Sequence, residues 1–253
     1  MRIDRIGLTP LKGGRHTELA AVDLTLDGPV GDRAFCLVDP ARDRVLRTVE
    51  NPSLVRSVAD LREGVLSVQL PEVHVEGVPT PTGEELKVDY WGRVAQLEVL
   101  DGPWAAAYSE YLGFDVVLAR PVHAGEVVYG AAVTLVTTSS LRLLGERLGR
   151  PVQSPRFRST VLLDTGDLEA HAEDGWVGRE LALGEARVRV HGTVPRCAVV
   201  DLDPDTGRRD ADVLGTLAGY RRGQGEVCFG VDAVVTTAGK VRSGDRATLL
   251  GRG

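Results

Sequence analysis

One cysteine in this chain stands where a thiol could do chemistry. Cys197 lies in Thr193-Val-Pro-Arg-Cys-Ala-Val-Val-Asp-Leu-Asp-Pro-Asp-Thr-Gly207. A strand is expected to end near Gly192, and a loop carrying Pro195 leads into the cysteine. Loops carry sites over a rigid frame. The neighbouring guanidinium of Arg196 would favour a thiolate, the form that binds soft metals and attacks electrophiles. The plainer alternative is a buried, inert cysteine at a strand start, because free Cys is usually a small hydrophobe. That reading is the expected one for Cys36 and Cys228, which sit in the apolar runs Ala34-Phe-Cys-Leu-Val38 and Glu226-Val-Cys-Phe-Gly230.

Three isolated cations lie among Gly, Pro and Ser. Lys12 is in Leu8-Thr-Pro-Leu-Lys-Gly-Gly14, Arg33 in Gly28-Pro-Val-Gly-Asp-Arg33, and Arg158 in Ser154-Pro-Arg-Phe-Arg-Ser-Thr160. Glycine lets a backbone approach a ligand closely, and Arg and Lys supply the fork-shaped and point charges that phosphate needs. Taken singly, each is more readily a solvated turn charge. The run Thr137-Thr-Ser-Ser140 at a helix start offers N–H groups and hydroxyls to an anion, or simply caps the helix.

Other chemistries find no support. His16, His74, His123, His171 and His191 show no metal-binding spacing. Asp201, Asp203 and Asp205 precede Gly207, but a calcium loop would need a Glu that is missing, so a tight turn at Asp203–Gly207 is expected. Three widely spaced cysteines give no disulfide framework, zinc site or four-cysteine iron–sulfur cluster, and they suit a reducing cytoplasm.

The elements that must position these groups are short. With 30 Gly and 13 Pro in 253 residues, turns are frequent. Residues 65–70, 96–100 and 187–191 alternate at period two, as half-buried strands do; 133–137 and 160–164 are continuous, as doubly covered strands are. Helices are expected over 104–112 with Asp101 as a cap, from about 140 to 148 capped by Thr138 or Ser139, and from about 212 to 220. A composition change near 100–125 suggests an N-terminal β-rich domain over 1–100 and a larger domain over 101–253. The expected class is α+β and β-rich: an N-terminal β-barrel-like domain and a C-terminal β-barrel with a few peripheral helices. Thirty Lys+Arg against 36 Asp+Glu give a net charge of −6, which argues against a nucleic-acid partner. No stretch approaches the ~20 apolar residues of a membrane span. Polar Asp4 and Arg5 argue against a secretory signal, so a cytoplasmic protein is expected.

Taken together, the motifs resemble the MOSC superfamily, named for the C-terminal domain of molybdenum-cofactor sulfurases. Its signature is Arg-Cys, a short β run and Asp-Pro-x-Thr-Gly, here Arg196-Cys197 and Asp203–Gly207. Tyr220-Arg-Arg222, Phe229-Gly230 and Gly239–Asp245 stand in its downstream places. Upstream, Pro10-Leu11-Lys12 and Gly31-Asp32-Arg33 are similar to the N-terminal barrel of the amidoxime-reducing component and its bacterial relatives.

The resemblance implies a molybdenum cofactor of the molybdopterin type, and no haem. Cys197 would ligate the metal and be the catalytic residue. Lys12, Arg33, Arg158 and Arg196 would hold the cofactor, with Thr138, Ser139 and Ser140 as helix-start contacts. It implies reduction of an N–O bond in a small N-hydroxylated molecule. Some relatives append a plant-type ferredoxin module; these cysteines cannot build one, so a separate donor of ferredoxin or flavin-reductase type is expected. Amidoxime-reducing relatives carry two threonines where this chain has Val200 and Asp201, and Phe-Arg-Pro-Asn where it has Phe157-Arg-Ser-Thr160. These departures are expected near the pocket and leave the substrate open. Two rival readings use the same cysteine: a persulfide sulfur carrier, and a non-catalytic cofactor-binding protein.

Overall fold

The computed structural model describes residues 1–223 and 225–251. Its largest unit is a sheet with strands in the order Thr17–Leu19, Arg2–Leu8, Val161–Asp164, Val133–Thr137, Glu226–Thr237, Ala186–Pro195, Glu180–Leu183 and Ala247–Leu249, with Arg222–Gly223 pairing beside Glu226–Thr237. The period-two pattern explains its inner face. Ala186, Val188, Val190 and Val194 point inward, and Arg187, Arg189 and His191 point out. The sheet rolls until its ends meet: the Ile3 N–H donates to Asp245 O at 2.8 Å and the Ala247 N–H donates to Met1 O at 3.0 Å. Ile3, Ile6, Leu135, Val161, Leu163, Val188 and Val231 fill the interior. At ~1.5–3 kcal/mol per buried aliphatic side chain, this interior holds the roll more than the few bonds at the seam.

The second unit is a closed barrel of Thr80–Tyr90, Arg93–Asp101, Val117–Pro121, Cys36–Asp39 and Arg44–Val45, shut by a parallel bridge between Asp89 and Arg44. A three-stranded sheet, Val58–Arg62, Val65–Gln69 and His74–Gly77, lies beside it. Helix α1 (Trp104–Leu112) buries Trp104, Ala107 and Tyr108 in the core that this sheet shares with Leu11 and Phe35. The β-rich α+β class expected from the sequence is the class observed.

Strand pairing crosses residue 100 in both directions. Arg2–Leu8 pairs with Val161–Asp164, and Ala21–Thr25 pairs with Gly239–Arg242, while Val117–Pro121 completes the closed barrel. Alternation reveals a strand but not its partner, so a division at residue 100 follows chain order rather than contact.

Two caps differ from expectation. Asp101 ends a strand, its carboxylate accepting the Gly102 N–H at 2.9 Å, and α1 has no side-chain cap. Helix α2 (Thr138–Leu148) is capped by Thr137, whose hydroxyl accepts from the Ser140 N–H at 3.3 Å. Helix α3 (Val213–Ala218) is shorter than its pattern. Its Leu214 N–H donates to the buried carboxylate of Asp201 at 2.7 Å.

Candidate functional site

Four loops meet between the rolled sheet and the closed barrel. Two are zipped together. The Arg33 N–H donates to Thr9 O at 2.9 Å, Lys12 N–H to Phe35 O at 2.8 Å, and Phe35 N–H to Pro10 O at 3.0 Å. Asp32 fastens the pair by accepting the Thr9 N–H at 2.8 Å while it pairs with the Arg33 guanidinium. The third loop is a 3-10 turn, Ser154–Phe157, closed by Arg158 in the left-handed region at φ 51°. The Arg158 guanidinium donates to the carbonyls of Gly13 and Gly14, so one cation binds the third loop to the first. The fourth follows the strand Ala186–Pro195, which runs three residues past Gly192. The Arg196 N–H donates to Val227 O at 2.8 Å, and Cys197 then leaves the sheet, exposed, as the cap of a short 3-10 turn.

The charges gathered here are of one sign. The Lys12 ammonium lies 4.7 Å from the centre of the Tyr90 ring. Burial first, then repulsion by Arg33 and Arg158, lowers Lys12 to about 7, while the Cys36 and Cys197 sulfurs pull the other way. Burial is also the main cause that lowers Arg158 and Arg196 to about 10. Among the described residues Lys12, Arg158 and Arg196 form no ion pair, and Asp32 is the carboxylate that partners Arg33. Arg196 donates through Nε to Phe229 O at 2.8 Å and through Nη1 to Phe157 O at 2.9 Å, and its buried Nη2 has no partner among the described residues. A buried cation without a counter-charge is costly. An anion beside Lys12 and Arg158 would offset that cost.

The structure thus brings together Lys12, Arg33, Arg158, Arg196 and Cys197. The helix-start hydroxyls are hydrogen-bonded to other groups. Ser140 Oγ donates to Glu173 Oε1 at 2.7 Å and accepts the His171 N–H at 2.8 Å. Ser139 Oγ accepts from Thr165 Oγ1 at 3.0 Å, and Thr138 Oγ1 accepts the Thr165 N–H at 3.3 Å. These side chains fasten α2 to the loop after Val161–Asp164, which caps the helix and leaves the hydroxyls committed.

The substituted positions expected near the pocket also turn inward. Val200 is buried with Phe157, Phe229 and Leu217, and the Thr160 hydroxyl accepts the Thr134 N–H at 3.1 Å. Both are occupied in packing, because the 3-10 turn after Cys197 rotates Val200 away from solvent. Cys36 is core, as expected, and burial pushes its thiol up to about 12. Cys228 is half-buried rather than core; it lies near the start of its strand, opposite Pro195. Asp203 forms the expected tight turn, accepting from the Thr206 N–H and hydroxyl at 2.8 Å each.

Two supporting residues were not legible. Tyr90 lies under Lys12 from the end of a barrel strand. His16 is fully packed between Thr9 and Ser159, over Gly7, where a Cβ would stand 2.2 Å from its ring. No spacing marks either one.

The profile described as the MOSC domain matches residues 119–248. This chain belongs to the MOSC family. The match takes in Arg158, Arg196 and Cys197, and it leaves Lys12 and Arg33 to reach the site from outside the matched segment. The MOSC chain is 23% identical to the molybdenum cofactor sulfurase of Oryza sativa, over all of this chain and 34% of that protein. It is 30% identical to human mitochondrial amidoxime-reducing component 1, over 47% of this chain and 36% of that protein. It thus spans about a third of these relatives. In fold it is similar to the YuaD protein of Bacillus subtilis, with a TM-score of 0.47 and 10% identity over 97% of this chain and 93% of that one. Among the described residues no helix is long and apolar enough to cross a membrane.

Proposed function

We propose that this protein is a molybdenum-cofactor-dependent oxidoreductase that reduces the N–O bond of small N-hydroxylated molecules. The observation that carries the reading is the exposed Cys197 thiol beside Lys12, Arg158 and Arg196, three cations without carboxylate partners among the described residues. That donor set fits the group. A thiolate is the ligand a soft metal selects, and a phosphate needs several positive donors. The relatives named for the cofactor and for amidoxime reduction support the same reading.

Cys197 would hold the metal, and Lys12, Arg33, Arg158 and Arg196 would hold the anionic part of the cofactor. When bound, the cofactor would supply two-electron chemistry and accept oxygen. The chain's own residues place and neutralise. Arg158 keeps the Gly13–Gly14 loop against the Ser154–Phe157 turn, so Lys12 arrives already oriented. An anion against Lys12 would restore its proton at Nζ, which burial first and then crowding by Arg33 and Arg158 loosen. The overall balance is R–NHOH plus two electrons and two protons giving R–NH2 and water. The electrons would come from a separate ferredoxin- or flavin-type protein.

The test is metal and pterin content of protein made in a cofactor-replete host, with N-hydroxylamine reduction assayed under a chemical reductant. Wild type should contain molybdenum and turn over; Cys197→Ala should do neither. A wild-type protein free of molybdenum would sink the reading. The exposure of Cys197 and the sulfurase relatives favour one second reading, a persulfide carrier. A labile gain of one sulfur on Cys197 without pterin would replace the first reading by this one.

A further inference from the structure

Among the described residues no carboxylate meets the Lys12 ammonium, and its Nζ makes no hydrogen bond. What Nζ faces is an aromatic ring: it lies 4.7 Å from the centre of Tyr90. A cation within about 6 Å of a ring centre is attracted by the negative face of the π-system, and most strongly where water is excluded. Tyr90 is 2% exposed, so water is kept from the ring.

The ring is fixed before any ligand arrives. Tyr90 ends the strand Thr80–Tyr90 and pairs with Arg93 across a two-residue turn, Trp91-Gly92. Both turn residues have positive φ, 55° and 81°, as a tight hairpin of this twist requires. The Gly92 N–H donates to Asp89 Oδ1 at 2.7 Å. Asp89 Oδ2 pairs with Arg47, whose guanidinium lies 4.4 Å from the centre of the Trp91 ring. Arg93 lies 5.0 Å from the centre of the Tyr90 ring and donates to the carbonyls of Glu126 and Val128, which ties the hairpin to the next loop. Tyr90 itself shares a core with Cys36, Val38, Val45 and Val127.

An aromatic ring and a carboxylate act differently on a buried ammonium. A carboxylate would cancel the charge and compete with any anion for it. A ring lowers the energy of the cation and cancels none of its charge. The phenol is itself uncharged: burial pushes it up to about 12, against the pull of Arg33 and Arg93. The attraction is therefore that of a quadrupole, and it belongs to the ring rather than to the hydroxyl.

We propose that Tyr90 is a positioning residue of the anion site: its ring stands where a counter-ion would, and it holds the Lys12 ammonium in place with its whole charge left for an incoming anion. The inference rests on the reading of Lys12 as a group that holds the anionic part of the cofactor, and its test needs neither the metal nor turnover.

The probe is inorganic phosphate, titrated by calorimetry into the cofactor-free full chain at one fixed pH below 7. Tyr90→Phe should bind it within about twofold of wild type, because the ring is kept. Phenylalanines carrying one, two and three ring fluorines at this position keep the ring's size and weaken its negative face step by step. Affinity should fall with each fluorine, by about tenfold in all. Tyr90→Leu should lose at least as much. In a Lys12→Met background the fluorine series should be flat, since the pair is then gone. A series that is flat with Lys12 present, or that falls equally in the Lys12→Met background, would overturn the inference and leave Lys12 as an anion-holding group. So would a loss on Tyr90→Leu with none along the fluorine series, which would reduce Tyr90 to packing. A wild-type chain that binds no phosphate, or a Lys12→Met protein that binds it as tightly as wild type, would overturn the anion reading of Lys12 and the inference with it.

Discussion

His16 Nε2 lies 3.0 Å from the backbone carbonyl of Ser159, a residue 143 positions away, and the other ring nitrogen lies 3.1 Å from Thr9 Oγ1. A carbonyl can only accept, so Nε2 carries the proton and Nδ1 accepts from the Thr9 hydroxyl. One neutral imidazole thereby joins the loop of Lys12 to the loop of Arg158. Burial holds its pKa well below the usual 6.5, helped by Arg158, Arg33 and Arg5. The folded state therefore binds fewer protons than the unfolded state below pH 6.5, and stability falls as pH drops through that value. His16→Phe should lose this acid sensitivity. It should also lose about 1–3 kcal/mol at pH 7.5, because the Ser159 carbonyl is left unpaired. Urea unfolding at pH 5 and 7.5 checks both; an unchanged pH slope would remove His16 from this role.

Lys12 gives a slope in another window. Its folded-state pKa of about 7 lies below the ordinary 10.5. Between those values the unfolded chain holds a proton that the folded chain has released, so cofactor-free protein should gain stability as pH rises from 7 to 10. An anion should act in the same direction at pH 7 by compensating Arg33, Arg158 and Lys12 together. Ten millimolar phosphate should raise Tm by several degrees. Lys12→Met should be more stable than wild type without phosphate and should respond less to it. Thermal melts with phosphate, compared with chloride of equal ionic strength, separate this binding from general screening.

Much of this arrangement was legible along the chain, in uneven measure. The strands at 133–137 and 187–191 and helix α1 stand out because burial periodicity is local. Arg196-Cys197, Lys12, Arg33 and Arg158 could be singled out only through motifs that resemble a known family, since each cation alone reads as a solvated turn charge. What contact decides was not legible. The strand Arg2–Leu8 gives no sign that its partner is Val161–Asp164. The hydroxyls of Ser139 and Ser140 read as ligand contacts because nothing nearby announces Glu173, which accepts from Ser140 across 33 residues. Tyr90 and His16 serve the site through packing, and packing leaves no spacing.

The three thiols should react in the order of their exposure. Cys197 is exposed, Cys228 half-buried and Cys36 buried with its thiol raised to about 12. Iodoacetamide on cofactor-free protein should label Cys197 first and Cys228 more slowly. Cys36 should react only on unfolding, since reaction needs an accessible thiolate. Bound cofactor should protect Cys197 and leave Cys228 unchanged. Peptide mass spectrometry with and without cofactor gives the readout, and protection of Cys228 alone would contradict the assignment of the thiol ligand.

Gly230 sits at φ 72° in the strand Glu226–Thr237, immediately after Phe229, whose carbonyl accepts from Arg196. A Cβ at this position would lie 2.5 Å from Leu135 O and 3.4 Å from Arg196 Nη2. The first of these is backbone of a central strand and cannot yield without parting the sheet. The second is the guanidinium beside Cys197. Positive φ adds ~1–3 kcal/mol of strain for any side chain. Gly230→Ala should therefore cost about 3 kcal/mol or more in urea unfolding, and the protein that still folds should retain less molybdenum, because Arg196 is displaced from the Phe229 carbonyl. Gly223→Ala is the control: it lies on the neighbouring strand, where a Cβ meets nothing within 4 Å among the described residues beyond its chain neighbours, and should be neutral in both measurements. If Gly230→Ala folded with wild-type stability and full metal content, the close approach of these two strands would not be what seats Arg196.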